Sequence, residues 1–290
     1  MISIEHNQEF VWLNDNLIPV DHARVSVNDR GFLYGDGLFE TLRADAGRVL
    51  FLPEHLERLA ASARAFRLPF SAAVPWEERL AQLLTANGLS RGPARVKILL
   101  SRGEAAGLGL PQECRPTLVI WAQPYTPPGP EEYAAGWPVV VFPEGRSTFV
   151  GRHKSLNYLF YLASRQFALD RGAKEALILE ADGLVSEGAA TSLVYLRQGR
   201  YYMPASASAL PGVTLTVLGR GLAARGLTLD TCPTTVAQLQ ETDGLWLANS
   251  LMGLMPVAAV NGTPARLSEA TAFLQGVLAD MEGEGRGNFS

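Results

Sequence analysis

Gly151-Arg152-His153-Lys154-Ser155-Leu156-Asn157-Tyr158 is the stretch on which the reading of this chain turns. It places a lysine where an irregular segment runs into a helix, expected over 156–171, with amide and aromatic side chains beside it. An amine in such a setting, partly desolvated, can lose its proton and attack a carbonyl. Composition sharpens the point. Of 25 basic residues only Lys97, Lys154 and Lys174 are lysines, the rest being arginine. The two cations differ most where an amine must give up its proton. A lysine at a helix start is commonplace by itself, so its partners have to be sought outward along the chain.

Downstream, Gly183-Leu184-Val185-Ser186-Glu187-Gly188-Ala189-Ala190 sets a carboxylate between a strand and small residues. Taken alone it is a glutamate in a turn. In that setting, however, the carboxylate can approach a ring nitrogen and keep it protonated, which is what makes pyridoxal 5′-phosphate an electron sink. Leu210-Pro211-Gly212-Val213-Thr214 then opens a helix. Free N–H groups at a helix start, with a hydroxyl nearby, form a phosphate cradle; a plain proline-glycine turn is the alternative.

Other chemistries lack their signatures. The chain has neither a GxGxxG nor a GxxxxGK[ST] motif, and no GxSxG elbow. His6, His22, His55 and His153 are scattered, and Cys114 and Cys232 match no metal-ligand spacing, so no metal is expected. A formal net charge of −4 offers no basic stripe for nucleic acid. Uncharged stretches at 201–219 and 244–265 approach the length of a membrane span, but their prolines, serines and asparagines mark buried strands and loops. The N-terminal residues lack a basic region followed by an apolar run, which makes the cytoplasm the expectation.

With 290 residues, 47% of them apolar, the chain can form one large domain or two modest ones. Hairpins are expected around Asn14-Asp15-Asn16 and Ala46-Gly47, then helices opened by Pro53 and Pro75, and strands at 94–101 and 117–123. The first of those helices shows an apolar face of Leu56, Leu59, Ala63 and Phe66. Residues 124–136 hold four prolines and two glycines and read as a connector. This divides a smaller α+β domain, 1–123, from a larger one, 137–280, with a disordered tail at 281–290. Strands at 139–142, 176–180, 192–196, 200–203, 245–248 and 256–260 alternate with helices at 156–171 and 213–224 and a last helix capped by Ser268.

Taken in order, KSLNYL, DGLVSEGA, ALPGVT and LWLANS followed by PV, preceded by DRGFLYGDGLFETLR (29–43) and HLERLAASA (55–63), resemble the fold-type IV pyridoxal-phosphate enzymes. These are the D-amino-acid and branched-chain aminotransferases and aminodeoxychorismate lyase. The resemblance runs from about Asp29 to Val260. It implies a two-domain α+β and α/β chain of the D-amino-acid-aminotransferase-like fold, with pyridoxal 5′-phosphate in the interdomain cleft and a small-molecule amino substrate. It also implies a homodimer, with no membrane or nucleic-acid partner. By position, Lys154 matches the lysine that binds the cofactor covalently and then serves as general acid and base. Glu187 matches the acid on the pyridine nitrogen, and Arg58 the phosphate-gripping arginine. Val213, Thr214, Ser250 and Asn249 fall at the phosphate site and its approach, and Tyr158 beside the ring's phenolic oxygen. Tyr34, Phe39, Glu40 and Arg43 match the segment facing the substrate.

Within the family, Asn249-Ser250-Leu251 with Gly253 and Pro256-Val257 resembles the lyase, as does Val96-Lys97-Ile98 through Ser101-Arg102-Gly103-Glu104. Lys97 would then meet a substrate carboxylate. Against this, Leu108 stands where an arginine is expected. The favoured expectation is therefore 4-amino-4-deoxychorismate lyase, which eliminates pyruvate and leaves 4-aminobenzoate for folate synthesis. The alternative is an aminotransferase acting on branched-chain or D-amino acids.

Overall fold

A computed structural model describes residues 9–71 and 74–284. Two compact units emerge: Met1–Pro127 together with Lys154–Asn157, and Pro128–His153 together with Tyr158–Ser290.

The first unit contains β1 (Phe10–Leu13), β2 (Asn16–Pro19), α1 (Arg30–Tyr34), β3 (Gly37–Asp45) and β4 (Arg48–Val49). These are followed by α2 (Leu52–Ala65), α3 (Trp76–Ala86), β5 (Pro93–Glu104) and β6 (Arg115–Pro124). The strands form a six-stranded sheet in the order β2-β1-β6-β5-β3-β4, antiparallel throughout. Side chains alternate across a strand, and here the alternation separates packing from chemistry. Leu38, Leu42 and Ala44 of β3 join Ala94, Val96, Ile98 and Leu100 of β5 in a core with Leu59, Ala63, Leu80, Leu83 and Leu84 of the helices. In the register Phe39↔Leu99, Thr41↔Lys97 and Arg43↔Arg95, the intervening residues face the other way. The buried stripe of α2 differs from expectation: Leu52, His55, Leu59, Ser62 and Ala63 are buried, while Leu56 and Phe66 pack at its margin.

Strand β4 pairs only with Ala44 and Asp45. The edge of β3 at residues 37–39 is taken instead by the lysine segment. Ser155 bridges Leu38, Phe39 N–H donates to Lys154 O at 2.8 Å, and Leu156 N–H donates to Gly37 O at 2.9 Å. Gly37 permits this approach, since a Cβ there would lie 2.7 Å from both Leu100 O and Leu156 Cδ1. Asn157 Nδ2 donates to Gly35 O at 3.0 Å, closing the segment.

The second unit runs α4 (Pro130–Ala135), β7 (Trp137–Val141), α5 (Leu159–Leu169), β8 (Glu175–Leu179), β9 (Val185–Gly188), β10 (Ser192–Arg197) and β11 (Arg200–Pro204). It continues with α6 (Val213–Ala223), β12 (Leu229–Cys232), α7 (Val236–Gln240), β13 (Gly244–Asn249), β14 (Gly253–Val260), β15 (Thr263–Pro264) and α8 (Ala270–Glu284). Eight strands follow the order β12-β11-β10-β13-β14-β7-β8-β9, and β15 adds to β14 to make nine. The pairs β11–β12, β14–β7 and β7–β8 are parallel. A core of Val139, Leu177, Leu193, Tyr195, Leu247, Met255 and Val257 lies within this unit. Helix α8 can approach α6 because Gly221 lacks a Cβ, which would sit 2.5 Å from Val277 Cγ1.

Several expectations are corrected. The proline-rich connector contains α4, opened by Pro130 with Glu131 and Glu132 in its first turn, residues that suit a helix N-terminus. Tyr133 OH docks it by donating to Met252 O at 2.6 Å. Helix α5 begins at Leu159 rather than Leu156, because main-chain bonds to β3 hold residues 154–156 extended. Strands β9 and β12 and helix α7 were not expected. Residues 281–284 are helical, which shortens the expected tail to 285–290, outside the described residues. The uncharged stretch 201–219 resolves into β11, a loop and α6, and 244–265 into β13, β14 and β15. Among the described residues no helix is long and apolar enough to cross a membrane.

Candidate active site

In the first unit, Lys154 is half-buried and its Nζ lies 4.6 Å from the centroid of the Phe39 ring. Lys97 Nζ lies 5.1 Å from the same centroid. Two of the chain's three lysines thus meet at one aromatic ring, on the chemical face of the β3–β5 pair. Desolvation of Lys97, with the like charge of Arg95 added, lowers its pKa below the ordinary lysine value. Arg43 shares this face through its register with Arg95. Tyr34 is exposed, its ring under the Arg30 guanidinium at 5.1 Å.

Glu40 does not accompany Phe39. Adjacent residues of a strand face opposite ways, and Glu40 points into the core, 1% exposed. There its Oε1 accepts from Arg58 Nε at 2.8 Å, and its Oε2 accepts from Arg58 Nη2 at 2.6 Å and from His55 Nδ1 at 2.8 Å. The expectation that Glu40 faces substrate is therefore corrected. It holds the plane of the Arg58 guanidinium, with fully buried His55 as second partner. Burial alone would raise the Glu40 pKa, but Arg58 and His55 outweigh it and hold it at about 2. Burial lowers the His55 pKa despite Glu40, leaving a neutral ring whose Nδ1–H donates.

Acid should therefore weaken the fold in two stages. An unfolded chain takes up a proton at His55 below its ordinary value of 6.5 and at Glu40 below 4.5, before the folded chain does. Stability is then lost as pH falls through each window, the Glu40 share being on the order of 3 kcal/mol between pH 4.5 and about 2. Melting temperature followed against pH checks this, and Glu40→Gln should flatten the lower limb. An unchanged limb would remove the assignment.

In the second unit, Glu187 lies in β9, paired with Ile178, and is 7% exposed. Its Oε1 accepts from Tyr161 OH at 2.7 Å, and its Oε2 accepts from Leu210 N–H at 3.0 Å. Burial and the Glu187 charge push the Tyr161 pKa up, so that hydroxyl stays a donor. The Tyr158 ring lies 5.0 Å from that of Tyr161, tilted by 31°, and its hydroxyl donates to Ala189 O at 3.1 Å. Its pKa is pushed up to about 12 by burial and by Glu175 and Glu187. The Arg146 guanidinium covers the Tyr161 ring at 4.7 Å. Sequence reasoning missed Tyr161, which lies in the first turn of α5 just past its N-cap Tyr158.

Val213 and Thr214, both buried, form the first turn of α6. Its N-cap is Gly212, which supplies no side-chain cap; the first-turn N–H groups of a helix need partners from outside the helix itself. A Cβ at Gly212 would lie 2.5 Å from Ser192 Oγ. Ser250 is half-buried in the turn after β13. Asn249 shapes that turn: its Oδ1 accepts from Leu251 and Met252 N–H at 3.0 Å each, and Nδ2 donates to Ala190 O at 3.3 Å. Among the described residues no group of acidic, histidine or cysteine side chains could hold a metal.

Residues 37–260 match the model of amino-transferase class IV. The chain belongs to that family. It is 31% identical over 258 residues to the "Putative branched-chain-amino-acid aminotransferase" of Methanocaldococcus jannaschii, covering 87% of this chain and 88% of that protein. It is 28% identical to the aminodeoxychorismate lyase of Bacillus subtilis, covering 91% and 92%. A hypothetical aminotransferase from Mycobacterium tuberculosis in its PLP-bound form shares the fold, with a TM-score of 0.84, 22% identity and coverage of 96% and 100%. A class IV member is an enzyme that uses pyridoxal 5′-phosphate, and the two-unit α+β architecture is that of fold-type IV. The donor set of this chain fits the group. Lys154 offers an amine, and the Glu187 carboxylate, which accepts from Tyr161 and Leu210, is the type of group that can also accept from a protonated ring nitrogen. Helix α6 presents backbone N–H groups at a glycine, where an anion is favoured.

Proposed function

We propose that this class IV enzyme is a 4-amino-4-deoxychorismate lyase, releasing pyruvate and 4-aminobenzoate. The observation that carries the reading is the convergence of Lys97 and Lys154 on the Phe39 ring. A ring substrate bearing carboxylates has a use for a second cation beside the reacting amine, and an apolar amino acid has less. Pyridoxal 5′-phosphate, when bound, supplies the sink for the electron pair left as a carbon–hydrogen bond breaks. Lys154 Nζ holds the group and, once released, takes the proton from the amine-bearing carbon and returns one to the departing three-carbon unit. Glu187 keeps a proton on the pyridine nitrogen, with Tyr161 and Leu210 fixing its carboxylate. Arg58, oriented by Glu40, in the first unit, and Val213 N–H, Thr214 and Ser250 in the second, each offer donors that would suit a phosphate. Tyr158 borders the phenolic oxygen, and Tyr34, Phe39, Arg43 and Lys97 meet the substrate.

Leu108 favours a second reading. It is 89% exposed and offers no charge to a dicarboxylate, and a relative named as a branched-chain aminotransferase stands at 31% identity. Aminodeoxychorismate given without any 2-oxo acid separates the two. Release of 4-aminobenzoate and pyruvate supports the lyase; a holoenzyme inert until an amino acid and a 2-oxo acid are both present is an aminotransferase. A homodimer belongs to the same proposal, because Val27, Phe32, Leu33 and Leu108 leave apolar surface exposed in the first unit. Light scattering should give twice the 31.3 kDa chain mass, and a monomer would refute it.

A further inference from the structure

Glu180, just past β8, has no part in the roles assigned above, yet its carboxylate gathers donors from three separate segments. Its Oε1 accepts from Ser206 Oγ, from Ser208 N–H at 3.2 Å and from Ser186 Oγ at 3.4 Å. Its Oε2 accepts from Ser147 Oγ at 2.5 Å and Ser208 Oγ at 3.0 Å. Ser206 Oγ in turn accepts from Ala209 N–H at 2.9 Å and pairs with Ser186 Oγ at 2.8 Å. Ser208 Oγ accepts from Thr148 N–H at 3.0 Å. The turn Phe149–Arg152 is packed onto the same loop, since a Cβ at Gly151 would lie 2.2 Å from Ser208 O. Burial would raise the Glu180 pKa, but these donors outweigh it and hold the group ionised.

The three segments are the ones that carry the cofactor chemistry. Residues 147–152 lead directly into Lys154. Ser186 adjoins Glu187, whose side chain takes the other face of β9. Loop 205–212 has no regular secondary structure, yet it supplies the Leu210 N–H that fixes Glu187 and ends at Gly212, the N-cap of α6. A loop rich in small side chains has little apolar anchorage, so ionic hydrogen bonds must set its path.

We propose that Glu180 is a positioning residue: through the serine loop it sets the placement of Leu210 N–H on Glu187 and the start of the phosphate-binding helix. The inference rests on the cofactor site proposed above, and is independent of whether the enzyme is a lyase or an aminotransferase.

Hydrogen exchange of the cofactor-free protein provides the first test. In Glu180→Ala the Ser208, Ala209 and Leu210 amides should exchange about a hundredfold faster while β10 and β13 amides keep their protection, because loss of a local anchor opens only its own segment. The second test uses the holoenzyme. Its visible band should change its pH dependence, the dissociation constant for pyridoxal 5′-phosphate should rise about tenfold, and kcat should fall more than KM rises, as expected when reacting groups are displaced slightly. Glu180→Gln, which keeps an acceptor and should fold even where alanine does not, should fall between alanine and wild type on every measure. Unchanged Leu210 exchange, or an unchanged visible band and cofactor affinity, would overturn the proposal, as would equal loss of protection throughout the unit. If the wild-type protein binds no pyridoxal phosphate, the cofactor reading fails, while the exchange experiment still decides the role of Glu180.

Discussion

Lys154→Ala is expected to abolish turnover, on the order of 10⁴-fold, because in the proposed reaction one side chain serves as both covalent anchor and proton carrier. The fold should survive. What seats this segment on β3 is main chain: Lys154 O accepting from Phe39 N–H, the Ser155 bridge and Leu156 N–H on Gly37 O. Alanine retains all of these, so stability should change by about 1 kcal/mol or less. The variant should lose the visible band of covalently held cofactor while keeping the wild-type far-ultraviolet dichroism. Retained band and turnover would refute the assignment of Lys154; a lost band with an unfolded chain would refute the account of the segment.

Glu187→Gln should leave cofactor binding near wild type and lower kcat about 10² to 10³-fold, the scale of removing one preorganised electrostatic partner. The geometry can accommodate the amide. Its oxygen can still accept from Leu210 N–H, and Tyr161 can turn from donor to acceptor toward the new NH2. What is lost is the negative charge that, in the proposed site, would keep a proton on the pyridine nitrogen. Cofactor titration beside steady-state kinetics separates the two effects. An unchanged kcat would point to another acid, and loss of the cofactor would mean that Glu187 chiefly binds.

The legible parts of this molecule are those in which local pattern and local structure agree. The hairpin around Ala46-Gly47, the strand at 94–101 and the order of the lysine, glutamate and helix-start motifs could be read directly, and the proline-opened helices fall close to expectation. The misreadings came from partners distant in sequence. Nothing near Lys154 says that Gly37 and Phe39 will hold it extended, so the helix was expected three residues early. Glu40 was assigned by motif to the substrate, whereas the strand's own period of two sends it inward to Arg58 and His55. Helix α7 carried a signal that went unread: Thr235 accepts from Gln238 N–H, and Gln238 Oε1 accepts from Thr235 N–H, a reciprocal cap visible as T-x-x-Q. The five donors on Glu180 come from Ser147, Ser186, Ser206 and Ser208, up to 33 positions away and in three separate segments, so no local pattern announces them.

The capture of Lys154–Asn157 by the edge of β3 bears on how the chain can be divided. A gene cut between residues 127 and 128 would not yield two self-contained pieces, because the first unit borrows four residues from the far side of the cut. The leading fragment would carry residues 37–39 as an unsatisfied strand edge, a template for pairing with its own copies. Expressed alone it should aggregate. Co-expressed with the trailing fragment, the two should find each other, the lysine segment acting as the tie that reassembles the enzyme from halves.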